Sequence, residues 1–392
     1  MKVTIEEAKK QIKNAVTTYL SKDAEGNYRM PPLGRLPLYL LGCPGIGKTE
    51  VAREAAEELG IGFVSFSLTH HTRNSLLGLP VIRELPDGRK YTEFTMSEII
   101  AAVEKACAAG HKEGIFLLDE FNSVSETILP VMLAFLQTKN IGEFYLPEGW
   151  VIILAGNPTE YNRSARALDM ALLDRVRKLE IEFDEEVFLN YARKTGFHPA
   201  ITEFLDSDRR FCYVMDTAKD EREAVTARGW ENLSRTMYLY DEMDLPVDMG
   251  LVHQFIKSDR VAAAFMDSLT LREMGCSVKE IEQMLAGMDV KGYAEKWSDL
   301  PERKLWLLID YLGRMLSSMV SVKNRRAKAG SAFDHAVSFL EYIENPMLIE
   351  RLFTVISRDP ELVKYLVNEG NQAYRKLCKE VYREDNTRTV AS

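Results

Sequence analysis

Eight consecutive residues, Gly42-Cys43-Pro44-Gly45-Ile46-Gly47-Lys48-Thr49, set glycines, a lysine and a hydroxyl in the spacing Gly-x-x-x-x-Gly-Lys-Thr. Glycines let successive backbone N–H groups turn inward around phosphate oxygens, and the helix N-terminus that follows adds a favourable dipole. In such a loop Lys48 would neutralise the β- and γ-phosphates, and the Thr49 hydroxyl would hold Mg²⁺. The bare pattern also arises by chance, so its setting matters. Leu36–Leu41 before it reads as a buried strand and Thr49–Leu59 after it as a helix, which is where a phosphate loop must sit.

Two further segments carry chemistry at the ends of apolar runs. Ile115-Phe116-Leu117-Leu118 leads into Asp119-Glu120. A carboxylate at a strand end can hold magnesium through water, the role given to Asp119 alongside Thr49. A second carboxylate beside it can polarise an attacking water, the role given to Glu120. That adjacent glutamate points to hydrolysis by water rather than phosphoryl transfer to a small substrate. Val151-Ile152-Ile153-Leu154-Ala155 then leads into Gly156-Asn157-Pro158. Alone, Asn157-Pro158 reads as a turn. After the two preceding motifs it reads as an amide that orients the water against the γ-phosphate.

The elements that must position these residues follow from patterning. Residues 4–20 have Ile5, Ala8, Ile12, Ala15, Val16 and Tyr19 at helical spacing, with Thr4 and Glu7 as a capping box. Beyond a polar stretch from Ser21 to Gly34, strands and helices alternate: strand Phe63–Leu68, helix Ser97–Ala108, strand Ile115–Leu118, helix Glu126–Gln137 and strand Val151–Ala155. Strands apolar on both faces imply a parallel sheet covered by helices. The expected fold class is therefore α/β, a parallel five-stranded phosphate-loop NTPase sheet flanked by helices. After Glu182 helical periodicity dominates, in Asp184–Thr195, Trp230–Met243, Val261–Leu271 and Arg303–Val320. The expected domains are a nucleotide-binding domain with an N-terminal helix at 1–183, an all-α lid at 184–300 and a C-terminal helical extension at 301–392, with residues 384–392 frayed.

Composition narrows the setting. Of 392 residues, 46% are hydrophobic and 28% charged, as in soluble globular proteins. A net charge of −9 argues against broad attachment to nucleic acid. Five scattered cysteines without a Cys-x-x-Cys pair fit a reduced cytoplasm, and no run reaches the length of a membrane span. His70 and His71 lack ligand partners at metal spacing. Cys43 fills a free position of the phosphate loop. The basic cluster Lys323–Lys328 has no interleaved aromatic residues and reads as a solvated linker face.

Taken together, these motifs resemble the AAA+ ATPases, and within them the MoxR branch, over roughly residues 30–270. Gly45-Ile46-Gly47-Lys48-Thr49-Glu50 resembles that branch's phosphate loop, Leu118-Asp119-Glu120-Phe121-Asn122 its Walker B segment and Ala155-Gly156-Asn157-Pro158 its sensor 1. Leu77-Gly78-Leu79-Pro80 with Pro86-Asp87-Gly88 resembles the hairpin inserted in its second helix, and Gly142–Pro147 the hairpin before sensor 1; in relatives these face the pore or substrate side of a ring. Ala171-Leu172-Leu173-Asp174-Arg175-Val176 is similar to the segment whose arginine reaches a neighbouring subunit's site. Val176 replaces the usual phenylalanine, and Arg163, Arg166 and Arg177 stand close to Arg175. Thr226-Ala227-Arg228-Gly229-Trp230-Glu231 resembles the sensor 2 segment, departing from it at Ala227 and Gly229.

The resemblance implies a Mg²⁺-dependent ATPase. It would work as a homo-oligomer, commonly a hexameric ring, and remodel or activate a protein partner, commonly one with a von Willebrand factor A domain. The alternative is a nucleic-acid-directed motor or defence-system ATPase on the same fold.

Overall fold

The computed structural model describes residues 2–69, 71–161, 165–166, 170–216, 223–321 and 325–379. His70, Arg163, Lys323, Asn324 and the tail 384–392 lie outside the described residues. Two compact units are present, residues 1–198 with 208–258 and residues 199–207 with 259–392.

The first unit begins with β1 (Lys2–Val3), α1 (Ile5–Tyr19), β2 (Leu38–Gly42), α2 (Lys48–Leu59) and β3 (Gly62–Ser67). A short helix α3 (Arg73–Leu77) precedes the hairpin β4 (Pro80–Glu84) and β5 (Lys90–Phe94), followed by α4 (Glu98–Ala108) and β6 (Gly114–Asp119). Then come α5 (Leu129–Thr138), the small hairpin β7 (Asn140–Ile141) and β8 (Phe144–Tyr145), β9 (Trp150–Gly156), α6 (Met170–Leu173), β10 (Arg177–Ile181) and α7 (Glu185–Lys194). After α8 (Pro199–Ser207), which belongs to the second unit, the first resumes with the ribbon β11 (Val214–Asp216) and β12 (Glu223–Val225), α9 (Ala227–Glu242) and α10 (Met249–Phe255).

Six parallel strands form the main sheet in the order β1-β10-β2-β9-β6-β3. The two-residue edge strand β1 extends the five strands expected from the sequence. Alternation along the central strands splits their side chains between two cores. Tyr39, Phe116, Leu118, Ile152 and Leu154 face α4 and α5. Leu38, Leu40, Ile115, Leu117, Val151 and Ile153 face α1 and α2. Each such side chain, withdrawn from water, contributes about 1.5–3 kcal/mol of transfer free energy, which is why these strands need no polar face. The Thr4/Glu7 capping box forms as expected. Helix α5 starts at Leu129 rather than Glu126, since Pro130 is accommodated in a first turn but not farther inside a helix.

Parallel strands present all their C-terminal ends at one sheet edge. Gly42 lies in register with Ile181, Leu41 with Gly156, and Ser67 with Asp119. The three motif loops therefore emerge side by side.

The second unit is helical: α8 with α11 (Asp259–Glu273), α12 (Val278–Leu285), α13 (Val290–Trp297), α14 (Glu302–Ser321), α15 (Ala329–Ile343), α16 (Pro346–Ser357) and α17 (Pro360–Asn368). Leu305, Leu308, Ile309, Leu312 and Leu316 of α14 pack with Trp297, Phe333, Phe339 and Leu352 in one core. A paired ion contact, Arg351 Nε and Nη2 donating to Asp310 Oδ1 and Oδ2 at 2.7 and 2.6 Å, fastens α16 to α14.

Candidate nucleotide site

The segment Cys43–Gly47 joins β2 to α2 and leaves the helix N-terminus open, with no side-chain cap. Gly45 and Gly47 take φ of +75° and +97°, left-handed values that glycine adopts without a Cβ penalty. A Cβ on Gly45 would also stand 2.8 Å from Thr226 Cβ, so glycine is required there twice over. Ile46 is buried against the α1–α2 core and pins the loop from beneath.

Lys48 lies at the centre and is 8% exposed. Its Nζ donates to Gly42 O (2.7 Å), Cys43 O (2.8 Å) and Asn157 Oδ1 (2.9 Å). Burial lowers its pKa to about 8; the Asp119 carboxylate and Cys43 work against the shift, and Arg228 adds to it. Thr49 Oγ1 donates to Asp119 Oδ2 at 2.8 Å. A hydroxyl and a carboxylate in contact at a strand end form the hard-oxygen donor set that suits Mg²⁺, so the residues fit that ion. Glu50, in the first turn of α2, pairs with Arg53 at 3.2 Å.

Glu120 adopts a left-handed φ of 56°, and its backbone N–H donates to Asp119 Oδ1 at 2.9 Å. Its Oε2 accepts from Thr69 Oγ1 at 2.7 Å and Ser67 Oγ at 3.4 Å. A polar cavity of about 340 Å³ opens beside Thr69, lined also by His71, Ser123, Ser125, Ile128 and Arg166. His71 itself stacks on Phe66 and pairs with Glu98 at 2.9 Å. Asn122, two residues past Glu120, reaches the backbone of Asn157.

The start of α9 closes on the loop from the other side. Thr226 caps the helix by accepting from Gly229 N, and the backbone N–H of Arg228 lies 3.3 Å from Gly45 O. The Arg228 side chain is exposed. Tyr213, stacked on Phe183, donates to Pro44 O at 2.9 Å. Burial, and after it Cys43, push the Tyr213 phenol upward; the Tyr161 phenol, hydrogen-bonded to Cys43, is raised as well.

The loop Gly42–Thr49, Asp119 and Asn157, all singled out from sequence, are thus joined by direct bonds or loop continuity. Glu120 stands beside them, and Arg228 touches the loop through its backbone. Arg175 is placed elsewhere. It follows α6, and its guanidinium meets the last turn of α5, where the amide oxygen of Gln137 accepts from Nε and, at 2.8 Å, from Nη2. Of its neighbours, Arg166 pairs with Glu126 at 2.7 Å, and Arg177 donates to Tyr19 OH at 3.2 Å. The sequence does not single out Thr69, Ser67 or Tyr213, whose partners are 50 or more residues away.

Residues 33–163, from the approach to β2 to just beyond β9, match the AAA domain family. The matched stretch includes the glycine loop Gly42–Thr49, Asp119, Glu120 and Asn157. Among solved structures, the Thermotoga maritima RuvB Holliday junction branch migration motor is 14% identical over 71% of this chain and 74% of that one, with a TM-score of 0.36. A threonine-to-valine variant of T. maritima RuvB is 13% identical over the same shares, 71% and 74%, with a TM-score of 0.37. No curated protein matches the chain. Among the described residues, no helix is long and apolar enough to cross a membrane.

Proposed function

We propose that this chain is an ATP-hydrolysing AAA+ ring ATPase that remodels or activates a protein partner. The observation that carries the reading is the convergence, at one sheet edge, of a buried lysine, a hydroxyl–carboxylate pair, a second carboxylate and a side-chain amide around one glycine loop. Each has a distinct part. Lys48 binds the β- and γ-phosphates through its three-donor ammonium. Thr49 and Asp119 would hold Mg²⁺, which when bound would supply positive charge to offset that of the phosphates. Glu120 accepts a proton from the attacking water, and Asn157 orients that water. Arg228 reports the γ-phosphate to α9.

The resemblance to AAA+ ATPases adds one further part, an arginine that enters the site from outside. We assign that part to Arg175 of a neighbouring copy, where an inserted guanidinium stabilises charge on the transferring phosphoryl group, an effect of about 10³–10⁵ in rate in well-studied cases. The assembly is then a homo-oligomer, and the resemblance to MoxR proteins suggests a hexamer whose partner contains a von Willebrand factor A domain. Exposed apolar residues on the β4–β5 hairpin, Leu79, Ile82, Tyr91 and Phe94, support contact with a protein surface. The net charge of −9 weighs against a nucleic-acid-directed motor.

Glu120→Gln tests the hydrolytic assignment. The variant should bind a fluorescent ATP analogue as the parent does and lose turnover by about 10²–10⁴-fold. Undiminished turnover in a phosphate-release assay removes Glu120 as the base.

A further inference from the structure

We propose that Asn122 is a positioning residue that sets Asn157 for catalysis and ties it to the segment leading toward Arg175; the inference rests on the reading of Asn157 above. Asn122 lies in the short turn Phe121–Ser123 that follows Glu120, and it is 5% exposed. Its Nδ2 donates to Asn157 O at 2.7 Å, and its Oδ1 accepts from Asn157 N at 3.2 Å. One side chain therefore holds both backbone groups of Asn157, fixing the peptides on either side of its Cα. The Asn157 amide is left aimed at the loop, where its Oδ1 meets Lys48 Nζ.

The same residue grips a third segment. Arg166 N donates to Asn122 O at 2.8 Å, and Asn122 Nδ2 lies 3.4 Å from Arg166 O. The chain beyond Asn157 thus returns to Asn122 at Arg166 before continuing to α6 and Arg175. Only a side-chain amide of this length can donate and accept at once in this way. An aspartate cannot donate, and a serine falls short. An unsatisfied backbone group in so buried a place is costly, so the clamp and the placement of Asn157 stand or fall together.

Gly156 provides the room. A Cβ there would lie 2.4 Å from Asn122 Oδ1 and 2.5 Å from the Tyr39 hydroxyl. Both Gly156 and Tyr39 are buried, which leaves the clamp little space in which to yield. Gly156→Ala should therefore displace the Asn122 side chain while leaving residue 122 itself unchanged.

The experiment compares Asn122→Asp, Asn122→Ser, Gly156→Ala and Asn157→Ala, and combines each of the first three with Asn157→Ala. Nucleotide affinity is read with a fluorescent ATP analogue, and kcat and KM from phosphate release. Disturbing the clamp should lower kcat by about tenfold or more, with affinity and KM held within about threefold. Added to Asn157→Ala, it should lower kcat no further, because both changes remove one function. Losses that instead multiply with that of Asn157→Ala, or a kcat within about twofold of the parent in Asn122→Asp and Gly156→Ala, overturn the inference. Should Asn157→Ala lower kcat while the Asn122 and Gly156 variants do not, only the clamp fails. If Asn157→Ala itself leaves kcat unchanged, the assigned role of Asn157 fails and the clamp's role with it. Gly156→Ala keeps the test decisive should an Asn122 variant not fold.

Discussion

On the proposed function, Lys48 couples nucleotide binding to pH, in the direction set by its burial. Burial is the main reason its pKa drops from 10.5 to about 8, and the three acceptors around Nζ are a side-chain amide and two backbone carbonyls rather than carboxylates. A triphosphate brings anionic oxygens that favour the charged form. Below pH 8 the lysine is charged before and after binding, so affinity is flat with respect to this group. Above pH 8 the free protein holds it neutral and the complex holds it charged, so each pH unit weakens apparent affinity by about tenfold until the pKa of the complex is reached. At pH 9 about nine in ten free sites are neutral, and binding takes up about 0.9 proton; at pH 7 uptake is about 0.1. Folding has the opposite sign. Between pH 8 and 10.5 the unfolded chain holds the Lys48 proton and the native protein does not, so this group's contribution to stability rises with pH across that window. Isothermal titration calorimetry of ATP binding at pH 7 and pH 9, each in two buffers of different ionisation enthalpy, reads the uptake directly. Equal heats in both buffers at pH 9 would refute the argument.

Other predictions rest on single contacts. Thr69→Val removes the 2.7 Å bond to Glu120 Oε2; with the pair partly solvent-facing, the bond is worth about 1 kcal/mol. If Glu120 must leave Thr69 to work, turnover should rise about fivefold, and a fall would show that Thr69 holds the working position. Gly45→Ala sets a Cβ 2.8 Å from Thr226 Cβ at a φ of +75°, a strain of about 1–3 kcal/mol. The melting temperature should drop and ATP affinity weaken, and an unchanged affinity would mean the loop relaxes without cost. Arg175→Ala and Lys48→Ala subunits, each inactive alone, should recover partial turnover when mixed. No recovery at any ratio counts against donation of Arg175 to a neighbouring site.

What could be read from the sequence is set by how far apart in the chain the interacting groups lie. The phosphate loop is local: Lys48 bonds to Gly42 O and Cys43 O, six and five residues back. The three central strands declared themselves by being apolar throughout, and parallel strands with loops at a common edge bring Asp119 and Asn157 to Lys48 with no further information. β10 is the instructive exception. Its sequence, Arg177-Lys178-Leu179-Glu180-Ile181, does not look like a buried strand, yet it pairs with β2 along its whole length. Only the two-residue β1 lies beyond it, so its first residues stay at the surface, where Lys178 pairs with Glu180 and Arg177 reaches Tyr19. The bonds that aim the site are the least legible part. Thr69 to Glu120 spans 51 residues, Asn122 to Asn157 spans 35, and Tyr213 to Pro44 spans 169. Two of these three end on backbone oxygens, and a backbone oxygen has no residue identity to read. Motifs therefore name the groups proposed to meet the phosphates, whereas the residues bonded behind those groups, Asn122 among them, emerge only once the strand ends are brought together.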